Sequence, residues 1–232
     1  MKSVSDILMS LYPLSWNNLN ILECGANVHG EETHCLMSTN NCWYVEANPA
    51  DFEVLKKTKP NALNFALSDK DGYVEFTVSS HPGNSSCEHS DEHLEELKLL
   101  NVEFNKTRVA SITYESLINQ LNIIFDVLVL DIEGHEKTVI RSWNSISPNL
   151  LPRIITIECG YDWDARLSLL KDLGYKLDCY YFNNCYLSRP EVPVNIAIAR
   201  NYNNEWKTFV WNNKTIYVND LHDNSDLQTI SH

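Results

Sequence analysis

Apolar and polar positions along the chain fall into short strand-like runs separated by stretches of helical spacing. Residues 3–14 repeat at helical spacing and stop near Pro13, which cannot continue a helix, so 1–19 is expected to be an N-terminal helix and its exit. Asn20–Cys24 is a brief apolar run ending in Gly25, the pattern of a buried strand entering a tight turn. Glu31–Met37 reads as helix, Asn41–Glu46 as a second strand, and Pro49 opens a helix through Lys57. Asn61–Leu67 reads as a third strand. Asp69-Lys-Asp-Gly72 is turn chemistry, and Tyr73–Ser79 alternates like an exposed strand.

Residues 80–108 break this rhythm. His81-Pro-Gly-Asn-Ser-Ser86 is loop-like, Asp91–Leu100 has helical spacing with an acidic face, and the whole stretch reads as an inserted lid. Val109–Thr113 returns as a strand and Glu115–Leu121 as a helix. Asp126–Ile132 is the most hydrophobic run, a strand covered on both faces. Lys137–Trp143 is helical, Arg153–Glu158 is a buried strand, and Ala165–Leu173 is a helix closed by Gly174. Tyr175–Phe182 and Val194–Arg200 read as late strands. Residues 201–232 form a polar tail in which Thr215–Val218 could add a strand. The order β-α-β-α-β, an excursion, then β-α-β-α-β-β predicts a single domain over 1–232. Its class is α/β, a doubly wound, mostly parallel, Rossmann-like sheet with an inserted lid segment.

Charge narrows the partners. The 232 residues carry 31 acidic against 18 basic side chains, a formal net charge of −13. A nucleic-acid binder needs a basic footprint, and an anionic membrane surface attracts one; neither is present. The longest basic cluster, Lys56-Lys57 with Lys59, reads as the solvated end of a helix. A neutral or cationic small molecule fits the balance. The seven cysteines are odd in number and form no C-x-x-C pair, so reduced thiols are expected. The N-terminus lacks the pattern of a signal peptide and no run reaches the length of a membrane span, which together predict a cytoplasmic protein.

In sheets of this kind ligands bind beyond the carboxyl ends of the strands. Those ends carry Glu23, Glu46, Asp131 with Glu133, and Glu158, while the third strand is followed by Ser68-Asp69. Crowded carboxylates repel one another and call for a cationic ligand. Gly25 and Gly30 frame a G-x-x-x-x-G turn whose middle position is Asn27. A side chain there obstructs a pyrophosphate but not a phosphate-free ligand. Glu46 follows Gly25 by 21 residues, the spacing of an acid that accepts from ribose hydroxyls. Gly25 itself is read as needing a positive φ or close ligand approach, so Gly25→Val is expected to abolish cofactor binding while sparing the fold.

At these residues the chain resembles the FkbM family of class I methyltransferases, over roughly Ile21–Ser188. The pieces are Leu-Glu-Cys-Gly-Ala-Asn-Val-His-Gly (22–30), Val-Glu-Ala-Asn-Pro (45–49), Asn-Phe-Ala-Leu-Ser-Asp (64–69) and Val-Leu-Asp-Ile-Glu-Gly-His-Glu (129–136). The resemblance implies an O-methyltransferase that uses S-adenosylmethionine (SAM). Glu23, Gly25 and Asn27 would line its methionine end, Glu46 would hold the ribose, Ser68 and Asp69 would lie against the adenine, and Asp131 would face the sulfonium and the acceptor. It also suggests a hydroxyl of a sugar, glycan or small natural product as acceptor. The chain departs from the family in Glu23, where Asp is usual, and in Thr113-Tyr114-Glu115.

An alcohol must lose a proton, which needs a base or a divalent metal. Candidate bases are Asp131, Glu133, His135, Glu158 and His81, with Asp131 first because it ends the central strand. His89 and His93 have zinc-like spacing but no third ligand at a recognisable offset. Alternative readings of the same sheet are an NAD-linked oxidoreductase, a non-catalytic adenosine-binding module and an RNA ribose methyltransferase. Asn27, the Asp131-Ile-Glu133 tip and the acidic charge respectively speak against them.

Overall fold

A computed structural model describes residues 2–81, 84–88, 101–159, 163–181 and 183–203, with Glu95, Leu97 and Leu99; residues 204–205, 208–211 and 214–217 are described through their backbone. The central sheet has seven strands: β1 (Asn20–Cys24), β2 (Asn41–Val45), β3 (Ala62–Leu63), β7 (Val127–Leu130), β8 (Ile154–Glu158), β9 (Lys176–Tyr181) and β10 (Asn184–Ser188). Their spatial order is β3-β2-β1-β7-β8-β10-β9. All pairings are parallel except those of β10, which runs antiparallel to both β8 and β9. From β1 the chain winds outward through β2 to β3, and from β7 it winds the other way. The switch point between β1 and β7 therefore opens a crevice beyond their carboxyl ends.

Alternation along β7 explains the layers. Leu128 and Leu130 face one side, packed with Trp143, Val139, Leu167 and Leu170 from α4 (Glu136–Ser142), the 3-10 turn after it and α5 (Trp163–Asp172). Val127 and Val129 face the other, against Ile7, Leu8 and Leu11 of α1 (Val4–Leu11). Ser3 caps α1 through a reciprocal box with Asp6, and Asn48 caps α2 (Pro49–Leu55) with Pro49 in the first turn. Thr113 caps α3 (Tyr114–Leu121), which ends on Asn122 in the left-handed region.

Beside the main sheet stands a three-stranded one, β4 (Ala66–Leu67), β6 (Phe104–Ile112) and β5 (Gly72–Ser79), in the order β4-β6-β5. The third strand of the sequence reading is thus divided: its first half pairs with β2 and its second with β6. The strand expected from Val109 begins at Phe104, so residues 104–108 belong to it rather than to the inserted lid. Residues 82–83 and 89–94 of that segment, with His89 and His93, lie outside the described residues, as does the tail from 218. Thr208–Trp211 (β11) and Lys214–Tyr217 (β12) form an antiparallel pair.

Three further expectations change. Glu31–Met37 is helical only over His34–Leu36, as one 3-10 turn. Val194–Arg200, with its alternating apolar residues, forms no strand; from Ile196 it is helical, in α6 (Ile196–Glu205). Ala199 and Tyr202, three apart, are buried there with α1, and the Tyr202 hydroxyl meets Lys2 Nζ at 2.9 Å and Ser10 Oγ at 2.8 Å. Tertiary packing overrides the local period. The strand missed in the sequence is β10, whose return between β8 and β9 sets Cys185 beside Cys159. The two form a disulfide, so the expectation of uniformly reduced thiols is corrected. They lie 26 residues apart, and only the antiparallel return of the chain makes them neighbours.

Gly25 sits at the switch point with φ +82°, and a Cβ on it would stand 1.6 Å from the Asp131 carbonyl oxygen. Its role is to let β1 and β7 close on each other, which corrects the expectation that its replacement spares the fold. Gly25→Ala should cost more than about 2 kcal/mol, since the left-handed backbone is unfavourable for a side chain and the overlap moves backbone. Urea unfolding of the apoprotein measures it. An unchanged midpoint would show that the two strands can separate freely.

Candidate active site

A cavity of about 530 Å³ lies at the switch point, and Glu23, Gly25, Asn27, Glu46, Asp131, Glu133 and His135 all line it. Its floor begins with the glycine turn. The N–H groups of Gly25 and Ala26 both donate to the Val45 carbonyl, at 2.9 and 3.2 Å, tying the turn to the end of β2. Asn27 adopts φ 51°, a conformation asparagine tolerates, and its Oδ1 accepts from the Val28 N–H at 2.6 Å. The Asn27 N–H donates to Glu46 Oε2 at 2.7 Å, and the Asn48 N–H donates to Glu46 Oε1 at 2.7 Å. Glu46 thus clamps two loops while keeping a lone pair on each oxygen for a ligand. Burial pushes its carboxyl up to about 7, against the pull of those N–H groups.

Glu23 is buried at the end of β1. Its Oε2 accepts from the Thr33 N–H at 3.0 Å and the Thr33 hydroxyl at 2.6 Å. Desolvation pushes it up to about 7. Lys59, read in the sequence as part of a solvated helix end, is only 3% exposed. Its Nζ donates to the Gly30 carbonyl at 3.0 Å and to Met37 Sδ at 2.9 Å, and it lies 4.7 Å from the centre of the Tyr44 ring. It holds the far end of the glycine turn, while burial lowers its pKa. Nothing in the local run Lys56-Lys57-Thr-Lys59 announces this, because the partners come from the segment 30–44.

The opposite wall is the turn after β7. The Asp131 N–H donates to the Cys24 carbonyl at 3.0 Å, and its Oδ1 is buried with no hydrogen-bond partner. Glu133 has φ 56°; the other described non-glycine residues with positive φ are all asparagine. Glu136 folds back beneath the turn. Its Oε1 accepts from Ile132 N–H at 2.9 Å and its Oε2 from Gly134 N–H at 3.1 Å. Arg166, also buried, reaches Glu136 Oε2 at 3.2 Å and the Glu158 carbonyl at 3.1 Å through Nη1. Sequence reasoning quoted Glu136 only within a motif and passed over Arg166. Glu158 stands behind Asp131 and does not line the cavity. Burial raises Asp131 well above the carboxylate range, and the Glu158 and Glu133 charges add to it. Glu133 is pushed up to about 8 by burial and then by Glu158 and Glu136. Glu158 rises to about 7 for similar reasons, eased by Arg166.

His135 joins the site through side-chain contacts on both nitrogens: Nε2 lies 3.1 Å from Ser68 Oγ and Nδ1 3.3 Å from Glu88 Oε2. Ser68 is buried against His135 and Asp69 is exposed; neither lines the cavity. His81 is exposed and stands outside the lining. Ser86 Oγ donates to the Ile132 carbonyl at 3.1 Å, so residues 84–88 rest on the turn after β7. Gly134 is required there, because a Cβ would meet the Glu88 carbonyl oxygen at 2.7 Å.

Oxygens of Asp131, Glu136 and Glu158 gather within 4.8 Å of one another, as ligands of a divalent ion do. The donors do not fit such an ion. Both Glu136 oxygens are committed to backbone N–H groups, and the Arg166 guanidinium already supplies positive charge at that point.

Raised carboxylates make folding pH-dependent. Glu23, Glu46 and Glu158 near 7 and Glu133 near 8 hold protons in the folded state that the unfolded chain releases near 4.5. Their contribution to stability is complete below about pH 4.5 and is lost as pH rises through 7 to 8. The melting temperature of the apoprotein is therefore expected to fall between pH 5 and 8, less steeply in saturating SAM, whose sulfonium favours the ionised forms. Calorimetry that finds a flat profile would show that these groups ionise in the fold without cost.

The description "Methyltransferase FkbM domain" matches residues 23–177. No curated protein matches the chain. Solved structures similar to it include the precorrin-6y C5,15-methyltransferase of Geobacter metallireducens (12% identity, 79% of this chain and 83% of that one, TM-score 0.42). Others are the Methanococcus jannaschii fibrillarin pre-rRNA processing protein (10%, 78% and 70%, TM-score 0.40) and an rRNA methylase of Streptococcus thermophilus (12%, 79% and 92%, TM-score 0.39). With the family match spanning both walls of the cavity, the chain belongs to the FkbM methyltransferase family and is a SAM-dependent methyltransferase.

Proposed function

We propose that the protein is an O-methyltransferase whose acceptor is a hydroxyl on a sugar, glycan or small natural product. The observation that carries this is Asp131: a carboxylate at the switch point, on the cavity wall, with one buried oxygen that nothing donates to. In this reading Glu46 accepts from the ribose hydroxyls, Glu23, Gly25 and Asn27 border the methionine end, and Asp131 faces the transferred methyl. Ser68 meets the site through its contact with His135. Bound SAM supplies an electrophilic methyl on a positively charged sulfur. The chain then has to orient the acceptor and take its proton, which the Asp131 carboxyl does once the bound sulfonium favours its ionised form. Glu133 and His135 border the same space, and Glu158 acts on Asp131 through its charge.

Among the described residues no lysine or arginine lines the cavity, which disfavours a polyanionic acceptor such as RNA. No described helix is long and apolar enough to cross a membrane. Five free cysteines against one disulfide support a cytoplasmic location. The segment 80–103 is proposed as an acceptor-side lid over one domain spanning 1–232. Ser85 and Cys87 reach the cavity wall, and Glu88 contacts His135, which supports that role.

Glu46→Ala should weaken SAM and S-adenosylhomocysteine alike by about 1.5–3 kcal/mol, the scale of a charged hydrogen bond. Unchanged affinity in a folded variant, by calorimetry, removes Glu46 from the ribose. Asp131→Asn keeps the shape and removes the charge. If Asp131 takes the acceptor proton, kcat should drop about 10²–10⁴-fold with little change in SAM affinity. If it only complements the sulfonium, SAM should weaken while the uncharged S-adenosylhomocysteine binds as before. A variant normal in all three measurements takes Asp131 out of the reaction.

A further inference from the structure

The acceptor end of the cavity carries more negative charge than methyl transfer to a neutral alcohol uses. Four carboxylates, Asp131, Glu133, Glu136 and Glu158, converge on the turn after β7. Arg166 answers one, Glu136, at 3.2 Å. The sulfonium of SAM answers a second, and the proton released by a hydroxyl acceptor takes over that same charge once the methyl has left sulfur. Glu133 and Glu158 remain, and Glu158, eased by Arg166, does not line the cavity. Two observations point Glu133 and the wall beside it at the ligand rather than at the protein. Asp131 Oδ1 is buried and has no donor, and Glu133, which also lines the cavity, has no ion pair among the described residues with Arg166 or any other cation. Among the described residues the cavity wall offers no lysine or arginine to supply the missing charge. An uncompensated carboxylate in such surroundings is costly, and a ligand cation relieves that cost.

We propose that the acceptor carries a protonated amine beside the hydroxyl, as an amino sugar or amino alcohol does, and that Glu133 receives the ammonium while Asp131 receives the hydroxyl. This rests on the hydroxyl-acceptor reading above. The acceptor oxygen gives its proton to the Asp131 carboxylate and forms the new C–O bond to the methyl carbon. The C–S bond breaks with its electron pair retained on sulfur, leaving S-adenosylhomocysteine. The ammonium has no lone pair and is a handle, not the nucleophile.

The test uses the whole protein with SAM at pH 7 and acceptors matched in shape: glucosamine against glucose, and 2-aminocyclohexanol against cyclohexane-1,2-diol. At least one amine-bearing member is expected to exceed its neutral partner in kcat/KM by about tenfold or more, with the methyl found on oxygen by mass spectrometry. The same member should raise the melting temperature of the S-adenosylhomocysteine complex more than its partner does. Glu133→Gln should collapse the ratio within the pair, a quantity that a general loss of activity does not move. Equal or better use of the neutral partners, methylation on nitrogen, an unchanged ratio in Glu133→Gln, or no turnover of any amine by a preparation that binds SAM each overturns the inference. Neutral partners methylated on oxygen leave the hydroxyl-acceptor reading standing while the inference falls, whereas failure to bind SAM fells both.

Discussion

The approach of β1 to β7 is the constraint on which the site depends. At Gly25 the chain must turn out of β1 while passing within van der Waals reach of the Asp131 carbonyl, and no side chain can be accommodated there. Because the two strands close at this point, the glycine turn on one and the acidic turn on the other face each other across a single cavity. A wider gap would part Glu46 and Asp131, which follow the strands on either side of β1 in the same sheet.

Once the walls are fixed, charge governs what they can hold. Burial works against every carboxylate at the strand tips, and their mutual repulsion adds to it, so the tips call for positive charge. The protein relieves part of this itself. Glu46 and Glu136 are held by backbone N–H groups, and Arg166 neutralises the deepest carboxylate. Asp131 and Glu133 are left facing the cavity, where a positively charged sulfur is the complement the family's chemistry supplies. The two turns are braced from behind by different cations, Lys59 under the glycine turn and Arg166 under the acidic one.

The carboxylates at the tips were legible because position in a strand is a local property. A run of apolar residues ending in an acid and a glycine locates a strand tip without knowledge of its neighbours. So Glu23, Glu46, Asp131 and Glu133 could be assigned to one end of the sheet from the sequence, and all four line the cavity. Ser68 obeyed the same local logic, yet its side chain turns to His135 instead of the cavity, because the third strand breaks and its second half joins another sheet.

The sequence by itself determined the alternation of strands and helices, hence the parallel sheet, the end at which ligands bind and the acidic character of that end. Tertiary structure alone decided what depends on partners distant in the chain. It made Ile196–Arg200 helical by giving Ala199 and Tyr202 a surface to bury against, and it returned β10 between β8 and β9 so that Cys185 meets Cys159. It also buried Lys59 and Arg166 among oxygen atoms that hold their charges. Hydrophobic period is written in adjacent residues, whereas burial of a charge is set by whichever groups the fold brings to it.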